Sequence, residues 1–320
     1  MPTSFNRIIE PFVGGGALFL GLEFHKSIVN DFSAELIRFY QIIKSHEFKQ
    51  FRATLCQLHA QRLQAMNLEV NGTFLEDASK ISNHKSFAKY LTKEFTAKLA
   101  RIEKLDHARS IQGDSPLSHA EESVQYRTAV TGALYYVWRE VYNEAHQGQA
   151  LDVSHIAHWY AIKQFAFSGM TRYSASGNFN VPYAGISYDS RSLVHNLEAM
   201  ESAHDSRFFQ DTDFNIGDFE EFFKKYNYFG DDDLVFIDPP YDSGFSQYNS
   251  EEDFTREDQI RLRDTLLLSK AKVMMIIKET DFIASLYADN FKLIRFGKNY
   301  SVNIKNRNNK AVQHFIITNY

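Results

Sequence analysis

Short apolar runs and long stretches of helical periodicity divide the chain. The short runs have the length and β-branched character of buried strands, and they lie at residues 7–13, 27–31, 213–219, 234–237 and 272–277. Helical patterning covers about 34–66 and most of 67–145, with breaks at Asn71-Gly72 and at Gly113–Pro116. Residues 291–320 have the pattern of a strand pair that closes a sheet. The chain is therefore predicted to form an α/β sheet interrupted by a helical insertion.

The insertion separates the first two strands from the later ones, so we predict two domains. They cover residues 1–45 with 205–320 for the sheet, and 46–204 for the helical lobe. Two apolar segments of the lobe, Ala129–Tyr142 and Trp159–Phe167, are predicted to be core helices. At the end of the lobe, Ser176-Gly177 lies between two short β-like runs and predicts a β-hairpin over 167–183.

Composition narrows the class of protein. Of the 320 residues, 44% are hydrophobic and 23% are charged, as in soluble globular proteins. No apolar run approaches the roughly 18 residues of a membrane span, and the N-terminus has no signal-peptide pattern. The single cysteine, Cys56, excludes an intramolecular disulfide and a cysteine-based zinc cluster. Together these features predict a cytoplasmic protein with no membrane partner and no metal site.

The charge is distributed unevenly. A net charge of −5 is not typical of a non-specific nucleic-acid binder. However, residues 291–320 contain six Lys or Arg and no Asp or Glu, whereas 211–233 is strongly acidic. A basic face on a mildly acidic protein can follow a phosphate backbone, although a solvated tail without a partner explains the same pattern.

The most informative stretch is Asp238-Pro239-Pro240-Tyr241, which follows the 234–237 strand. The two prolines fix the backbone and remove two donors, which leaves a stiff corner rich in carbonyl groups. Ligands bind at this end of the strands in open α/β sheets. Asp238 and the Pro239 carbonyl can accept the two N–H groups of a planar amine, and Tyr241 can stack on its ring. The alternative is a turn that only ends a strand. The polar loop 242–256 is predicted to cover the corner.

A strand, a glycine turn and a helix follow one another near the N-terminus. The turn is Gly14-Gly15-Gly16, between the 7–13 strand and the apolar segment 17–22. Glycines let a ligand approach the backbone, and a helix N-terminus offers free N–H groups, but a plain tight turn is the alternative. The dinucleotide GxGxxG pattern and the P-loop lysine are both absent, so those two ligand classes fit poorly.

Two other acids end predicted strands. Asp31 lies about 15 residues after the glycine turn, where a carboxylate can accept ribose hydroxyls. Asp218 stands beside Phe219, and this pair can bond the amino group of an adenine and pack on its face. Capping of the helices that follow is the alternative role for both acids.

The predicted hairpin at 167–183 alternates polar and aromatic side chains. The polar members are Arg172, Asn178 and Asn180, and the aromatic ones are Tyr173, Phe179 and Tyr183. This alternation suits base edges and stacked bases. An ordinary packed hairpin is the alternative.

In this order, the motifs resemble those of the Dam-type DNA adenine-N6 methyltransferases. The resemblance is carried by Glu10–Gly16, Asn30-Asp31, the 167–183 hairpin and Asp238–Tyr241, and it is weakest between about 50 and 125. It implies a doubly wound, Rossmann-like sheet that binds S-adenosylmethionine and catalyses the transfer of its methyl group. It also implies that the inserted lobe recognises a DNA target, as in DNA methylation and restriction-modification.

The resemblance implies a role for each motif residue. Cofactor contacts are implied for Glu10, Pro11, Phe12, Gly14, Gly16, Asp31 (ribose), Asp218 and Phe219 (adenine), and Asp238. The catalytic set is Asp238, Pro239, Pro240 and Tyr241, which would hold an adenine flipped out of double-stranded DNA. DNA contacts are implied for Arg172, Tyr173, Asn178 and Asn180. The adenine N6 would attack the sulfonium methyl directly, with proximity supplying most of the acceleration and without a metal or covalent intermediate.

One family motif, rich in Lys and containing Gly, usually lies well before the glycine loop, but only nine residues precede Glu10 here. Three explanations stay open: a shortened reading frame, another segment or a partner chain that supplies the contact, or impaired cofactor binding. Two alternative functions stay open as well. One is a methyltransferase-like DNA-binding subunit without turnover, and the other is methylation of cytosine N4, RNA adenine or a glutamine amide.

Overall fold

The chain divides into two units, one built on a sheet and the other on helices. The computed structural model describes residues 2, 4–24, 26–146, 151–240, 254–298 and 312–320. Unit 1 consists of Met1–Lys44 with Ala203–Tyr320, and unit 2 consists of Ser45–Ser202.

Within these described ranges, unit 1 contains one seven-stranded sheet with the order β3-β2-β1-β4-β5-β7-β6. The strands are β1 (Arg7–Glu10), β2 (Ser27–Asp31), β3 (Asp213–Ile216), β4 (Asp233–Ile237), β5 (Lys272–Lys278), β6 (Lys292–Lys298) and β7 (Val312–Thr318). Strands β1 to β5 pair in parallel, whereas β7 pairs antiparallel with both β5 and β6. The order of the parallel strands confirms the predicted doubly wound, Rossmann-like α/β class.

The described part of the chain also contains twelve α-helices. They are α1 (Ala17–Leu22), α2 (Ala34–Lys44), α3 (Phe48–Met66), α4 (Phe74–Ser79), α5 (Phe87–Gln112), α6 (His119–His146), α7 (Val153–Phe165), α8 (Leu197–Asp205), α9 (Arg207–Gln210), α10 (Phe219–Lys225), α11 (Arg256–Leu268) and α12 (Asp281–Tyr287). None of these helices is both long and apolar enough to cross a membrane.

The parallel strands are buried because helices cover the sheet, and their sequences are correspondingly apolar. Ile9 of β1 lies opposite Ile28 of β2 and Val235 of β4. One large cluster of buried side chains joins the sheet to α10, α11 and α12; it includes Ile9, Val235, Val273, Met275, Phe222, Phe223, Leu262, Leu266 and Tyr287. This packing fixes where each strand ends, and so where the residues after each strand lie.

Two predicted strands end earlier than their apolar runs indicated. The first strand stops at Glu10 because Pro11 follows and the chain turns into the glycine loop. The strand predicted to reach Phe219 stops at Ile216, since Gly217 adopts a φ of 139° and Asp218 caps α10. The predicted strand pair at the C-terminal end is confirmed as β6 and β7.

Unit 2 is mainly helical, as predicted, with changes at the helix boundaries. The segment 34–66 forms two helices because Ser45 Oγ accepts the Glu47 N–H (3.2 Å), which starts a second helix. The apolar segment Ala129–Tyr142 lies inside α6, and Tyr135 and Tyr142 there are fully buried. Helix α7 begins earlier than predicted, because Asp152 caps it by accepting the His155 N–H (2.7 Å).

The predicted hairpin forms an antiparallel loop with only isolated bridges, not two continuous strands. Ala166 pairs with Tyr183, and Tyr173 pairs with Phe179. A short 3-10 turn at Phe167–Gly169 interrupts the first leg, which explains why no ladder extends along it. We call this segment the 167–183 loop.

Candidate active site

The glycine turn is both tight and open to a ligand. The Gly16 N–H donates to Val13 O (2.8 Å), and Gly16 has a φ of 69°. A Cβ at Gly16 would lie 2.9 Å from the Tyr40 hydroxyl oxygen, so only glycine fits there. Gly14 and Gly15 instead face open space, with nothing within 4 Å of an added Cβ. The segment is therefore a tight turn that also leaves room for a ligand, so the two interpretations of its sequence are compatible.

Asp31 connects the glycine turn to the start of α2. Its Oδ2 accepts the Gly14 N–H (2.9 Å), and its Oδ1 accepts the Ser33 N–H (2.9 Å). The alternative role, capping α2, falls to Ser33, whose Oγ accepts the Leu36 N–H (3.3 Å). Each carboxylate oxygen has two lone pairs, so Asp31 can still accept hydroxyl groups from a ligand.

Asn30, directly before Asp31, ties together the ends of three strands. Its side chain is 1% exposed, and Nδ2 donates to Pro11 O (3.0 Å) and to Gly217 O (2.9 Å). The chain also pairs here through backbone bonds from Val13 N to Asn30 O and from Gly217 N to Asp31 O. This arrangement holds the loops after β1, β2 and β3 at fixed separations.

Asp218 and Phe219 form the corner after β3. Oδ1 of Asp218 accepts the Glu220 N–H (2.9 Å), which confirms that this acid caps α10. Phe219 is 4% exposed, and its ring packs against Phe12 (5.4 Å between centroids) and Phe254 (5.8 Å). The corner therefore has an acid at its surface and an aromatic cluster behind it.

The predicted catalytic corner follows β4. Asp238 and Pro240 are exposed, and Pro239 is buried. The Pro240 carbonyl accepts a hydrogen bond from Gln259 Nε2 (3.2 Å). Tyr241 and the predicted covering loop up to residue 253 lie outside the described residues.

Two carboxyl groups meet between the ends of β1 and β4, where the strand order reverses. Glu10 is 3% exposed, and its Oε1 has no hydrogen-bond partner among the described residues. Burial raises the pKa of Glu10 to about 8, with a further contribution from the charge of Asp238. The Phe19 backbone N–H acts in the opposite direction on this pKa. A buried acid with a raised pKa and the exposed Asp238 thus lie at the point of the sheet where ligands usually bind.

Two exposed apolar side chains complete this end of the sheet. Phe32 is 66% exposed directly after Asp31, and Ile216 is 50% exposed at the position opposite Asp31 on β3. Large apolar groups exposed beside polar ones mark binding surfaces, and these two suit a flat ring. Sequence reasoning did not select them, although a bulky residue after a strand-ending acid is a visible signal. We call the whole region the strand-end site: Glu10–Gly16, Asp31-Phe32, Ile216–Phe219 and Asp238–Pro240.

The four predicted DNA contacts lie together on the 167–183 loop of unit 2. Arg172 Nε donates to Asn180 Oδ1 (2.7 Å), so these two side chains pair across the loop. Tyr173 packs edge-on against the buried Phe179 (5.7 Å). Asn178 Nδ2 donates to Ser176 Oγ (3.2 Å) at the turn.

Side chains of α6 anchor the second leg of this loop. Asn143 bonds to both backbone groups of Phe179, accepting its N–H (2.8 Å) and donating to its carbonyl (3.1 Å). Tyr135 and Arg139 both donate to Val181 O, at 2.8 and 3.1 Å. The loop therefore has a fixed second leg.

A buried ion pair secures the base of the loop. Arg62 is 2% exposed and bonds to Asp189 Oδ1 (3.2 Å), while Tyr183 donates to the same oxygen (2.6 Å). Thr128 donates to Asp189 Oδ2 (2.8 Å). Sequence reasoning missed Arg62, Thr128 and Asp189, because nothing in the local sequence marks a charged side chain such as Arg62 as buried.

A doubly wound sheet with acidic and glycine-rich loops after β1 to β4 defines a methyltransferase-type site. Residues 1–106 and 112–302 match the family described as D12 class N6 adenine-specific DNA methyltransferase, and the chain belongs to this family. The predicted resemblance is thereby confirmed, and the class of enzyme is an adenine-specific DNA methyltransferase. Cytosine N4, RNA adenine and a glutamine amide are not the substrate class of this family.

Several relatives match all or most of the chain at low identity. The type II methyltransferase M.CviBI of Paramecium bursaria Chlorella virus NC1A is 24% identical, over 100% of this chain and 92% of its own. The type II methyltransferase M1.LlaDCHI of Lactococcus lactis subsp. cremoris is 26% identical, over 100% and 88%. The DNA N-6-adenine-methyltransferase of Escherichia phage P1 is 26% identical over 89% of this chain and 28% of its own.

Proposed function

We propose that this chain transfers a methyl group from S-adenosylmethionine to N6 of an adenine within a defined DNA sequence, in the cytoplasm. Unit 1 binds the cofactor and catalyses the transfer, and unit 2 recognises the DNA. The observation that carries the assignment is the rigid Asp238-Pro239-Pro240 corner beside the buried Glu10, at the point where the strand order reverses.

The residues of the strand-end site fit the parts of this cofactor. Open space over Gly14 and Gly15 leaves room for the methionine end, and Pro11 and Phe12 line the loop there. Within the described residues, Oε1 of the buried Glu10 carboxyl has no hydrogen-bond partner, and an ammonium can satisfy such a group.

The nucleoside end fits the loops after β2 and β3. Asp31 accepts ribose hydroxyls, and the exposed Phe32 and Ile216 offer apolar faces to a purine. Asp218 accepts the adenine amino group, and Phe219 supports that corner from the core. When bound, the cofactor supplies a methyl group on a sulfonium centre.

The corner after β4 orients the target amine. Asp238 accepts one N–H of the adenine amino group and the Pro239 carbonyl accepts the other, while Tyr241 stacks on the flipped base. Two acceptors direct the nitrogen lone pair away from the corner. Holding the two reactants in line is the main contribution asked of these side chains.

The 167–183 loop reads the DNA. Arg172, Asn178 and Asn180 offer donors and acceptors to base edges or phosphates, and Tyr173 offers a ring for stacking. Sequence-specific action within a restriction-modification setting is supported by relatives that carry the type II designation.

Two measurements test the proposal. Calorimetry of S-adenosylmethionine with the purified chain, beside Asp31→Ala, should show binding that the variant loses. The same experiment decides whether the cofactor pocket is complete in this chain. Incubation with unmethylated plasmid DNA, followed by modification-sensitive sequencing, should show N6-methyladenine at one recurring sequence. Cofactor binding without any methylated adenine would contradict the catalytic assignment.

A further inference from the structure

Helix α11 sends two neighbouring side chains to two different corners of the strand-end site. Gln259 reaches the corner after β4, and Arg261 reaches the corner after β3. The sequence motifs of the strand-end site include neither Gln259 nor Arg261. The two contacts place one rigid element behind both the predicted target site and the predicted cofactor site.

Gln259 is a buried amide that bonds through its side chain to one residue, Pro240, within the described part of the chain. Its side chain is 0% exposed, and Nε2 donates to Pro240 O (3.2 Å). Its Oε1 has no hydrogen-bond partner among the described residues. An amide in this position loses its hydration, which costs free energy unless its polar atoms are hydrogen-bonded. An apolar side chain would be easier to accommodate, so the bond to Pro240 is what the amide contributes.

The corner needs such a donor from outside. Proline has no backbone N–H, so Pro239 and Pro240 cannot tie the turn together with their own amides. The Gln259 amide therefore restrains the carbonyl of the second proline and, through the stiff proline pair, the direction of Asp238 and of the Pro239 carbonyl.

Arg261 holds the other corner with its whole guanidinium group. Nη2 donates to Asp218 Oδ1 (2.9 Å), Nε to Glu220 Oε2 (3.0 Å), and Nη1 to Asp258 Oδ1 (2.8 Å). The guanidinium also lies over the Phe219 ring, 5.0 Å from its centroid. Isolated surface ion pairs add little stability, but a planar fork that engages three carboxylates fixes their orientation.

The helix that carries both side chains is itself well anchored. Thr255 and Asp258 form a reciprocal capping box at its first turn, and Leu262 and Leu266 bury its opposite side in the core of unit 1. Asp258 belongs to both the capping box and the Arg261 network. Movement of the two corners relative to α11 is therefore restricted.

We propose that Gln259 and Arg261 are positioning residues with separate tasks: Gln259 aligns the target-amine corner, and Arg261 aligns the Asp218-Phe219 corner for the cofactor. This inference rests on the proposed function, because it takes its two readouts from that reaction. It requires the two residues to affect different constants. Loss of Gln259 lowers kcat, and loss of Arg261 weakens cofactor binding.

The Gln259 half is tested with Gln259→Met, which keeps the volume and removes the donor. We expect kcat on unmethylated plasmid DNA to fall about 10- to 100-fold, since small misplacements of reacting groups have effects of this size. The dissociation constant for S-adenosylmethionine should stay within about twofold of wild type, a factor that corresponds to about 0.4 kcal/mol. The matched control is Gln125→Met, which replaces a glutamine that is 8% exposed in α6 of unit 2; its kcat should equal that of wild type.

A second variant separates positioning from packing. In Gln259→Glu the introduced carboxyl can donate to Pro240 O only while it is protonated. The activity of this variant relative to wild type should therefore rise as the pH is lowered, which a packing defect would not produce. It also tests the proposal if Gln259→Met fails to fold, and a flat activity ratio would then overturn the Gln259 role.

The Arg261 half is tested with Arg261→Met, at a side chain that is 41% exposed and so tolerates change. Calorimetry should show a dissociation constant for S-adenosylmethionine raised about tenfold, in keeping with the loss of hydrogen bonds between charged groups. At saturating cofactor, the kcat of Arg261→Met should lie within about threefold of the wild-type value, a factor that corresponds to about 0.65 kcal/mol. Arg263→Met is the matched control, because Arg263 pairs with the adjacent Asp264 on the same helix.

The outcomes distinguish the inference from the proposed function. A wild-type chain that binds no S-adenosylmethionine and methylates no adenine contradicts the proposed function. An active wild type together with Gln259→Met at full kcat, or Arg261→Met at unchanged cofactor affinity, overturns the corresponding positioning role. A lower kcat together with a weaker cofactor affinity, to the same extent in both variants, would also overturn it, since that pattern indicates general damage to unit 1.

Discussion

The strand-end site and the 167–183 loop hold their predicted functional groups in different ways. At the strand-end site, Asp31 accepts backbone N–H groups of the glycine turn and of Ser33, and Asp218 accepts one at the start of α10. The apolar Phe32 is exposed beside Asp31. On the 167–183 loop, Arg172 pairs with Asn180, so predicted contact residues bond to each other. The predicted residues of the first region therefore bond to backbone groups, whereas this pair on the 167–183 loop is joined through its side chains.

This difference fits the two kinds of ligand. A small cofactor gains from a pocket that exists before binding, because little ordering is then needed. DNA offers many phosphates and base edges, and a loop whose first leg is held by exchangeable contacts can adapt to them. The second leg is anchored, because Asn143 bonds to the backbone of Phe179.

The largest effect on activity is expected from a substitution of Asp238. This substitution should abolish most methyl transfer but leave DNA binding intact. Asp238→Ala removes one of the two proposed acceptors for the target amine, so methyl transfer to plasmid DNA should fall at least about 100-fold. Affinity for DNA, measured by gel shift, should remain. Asp289→Ala, at an exposed acid after α12, serves as the control. Activity within tenfold of wild type would break the assignment of this corner.

The backbone-held character of the strand-end site is tested at Gly16. An alanine there must adopt a φ of 69° and meets the Tyr40 hydroxyl oxygen at 2.9 Å. Gly16→Ala should therefore lower the free energy of unfolding by about 2 kcal/mol and weaken cofactor binding. Gly15→Ala, with nothing within 4 Å of its Cβ, should leave unfolding by denaturant unchanged. Equal stability of the two variants would mean that the turn is not constrained as described.

The buried Glu10 gives the strand-end site a dependence on pH. Its pKa is about 8 in the folded chain, against 4.5 for the ordinary group. The folded state binds this proton more tightly than the unfolded state, so stability falls as pH rises through the window from 4.5 to about 8.

Glu10→Gln should remove that dependence and be more stable than wild type at the alkaline end of the window, by about 2 kcal/mol. Urea unfolding of both chains across this pH range measures it. Asp238→Asn provides the control, because removal of that charge should lower the pKa of Glu10 and shrink the difference. Parallel stability curves for wild type and Glu10→Gln would show that Glu10 is not the group responsible.

The smallest effect is expected on the 167–183 loop, where partners can exchange. Arg172→Met should weaken DNA binding about tenfold and reduce its salt dependence, since one cation fewer reaches the DNA. Cofactor affinity should not change. Arg52→Met removes an exposed arginine of α3 that pairs with Glu201 and should bind DNA like wild type. A loss of cofactor affinity in Arg172→Met would contradict the proposal that the 167–183 loop acts on DNA and not on the cofactor.

Sequence reasoning selected candidate site residues more readily than the residues that support them. The acids Asp31, Asp218 and Asp238 were visible because each follows an apolar run, and strand ends are where ligands bind in such sheets. Asn30 and Gln259 were not recognised as supports, because their partners Gly217 and Pro240 lie 187 and 19 residues away. Polar side chains in local sequence give no sign of being buried.

The sequence by itself determined the strands, the glycine turn, the capped helices and the order of the motifs. These follow from periodicity and backbone preference, which act over a few neighbouring residues. Only the tertiary structure decided that Glu10 lies beside Asp238, that Arg172 pairs with Asn180, and that α11 supports two corners. Such contacts depend on strand order and on which helix packs where, and burial then sets the pKa and the partners of each group.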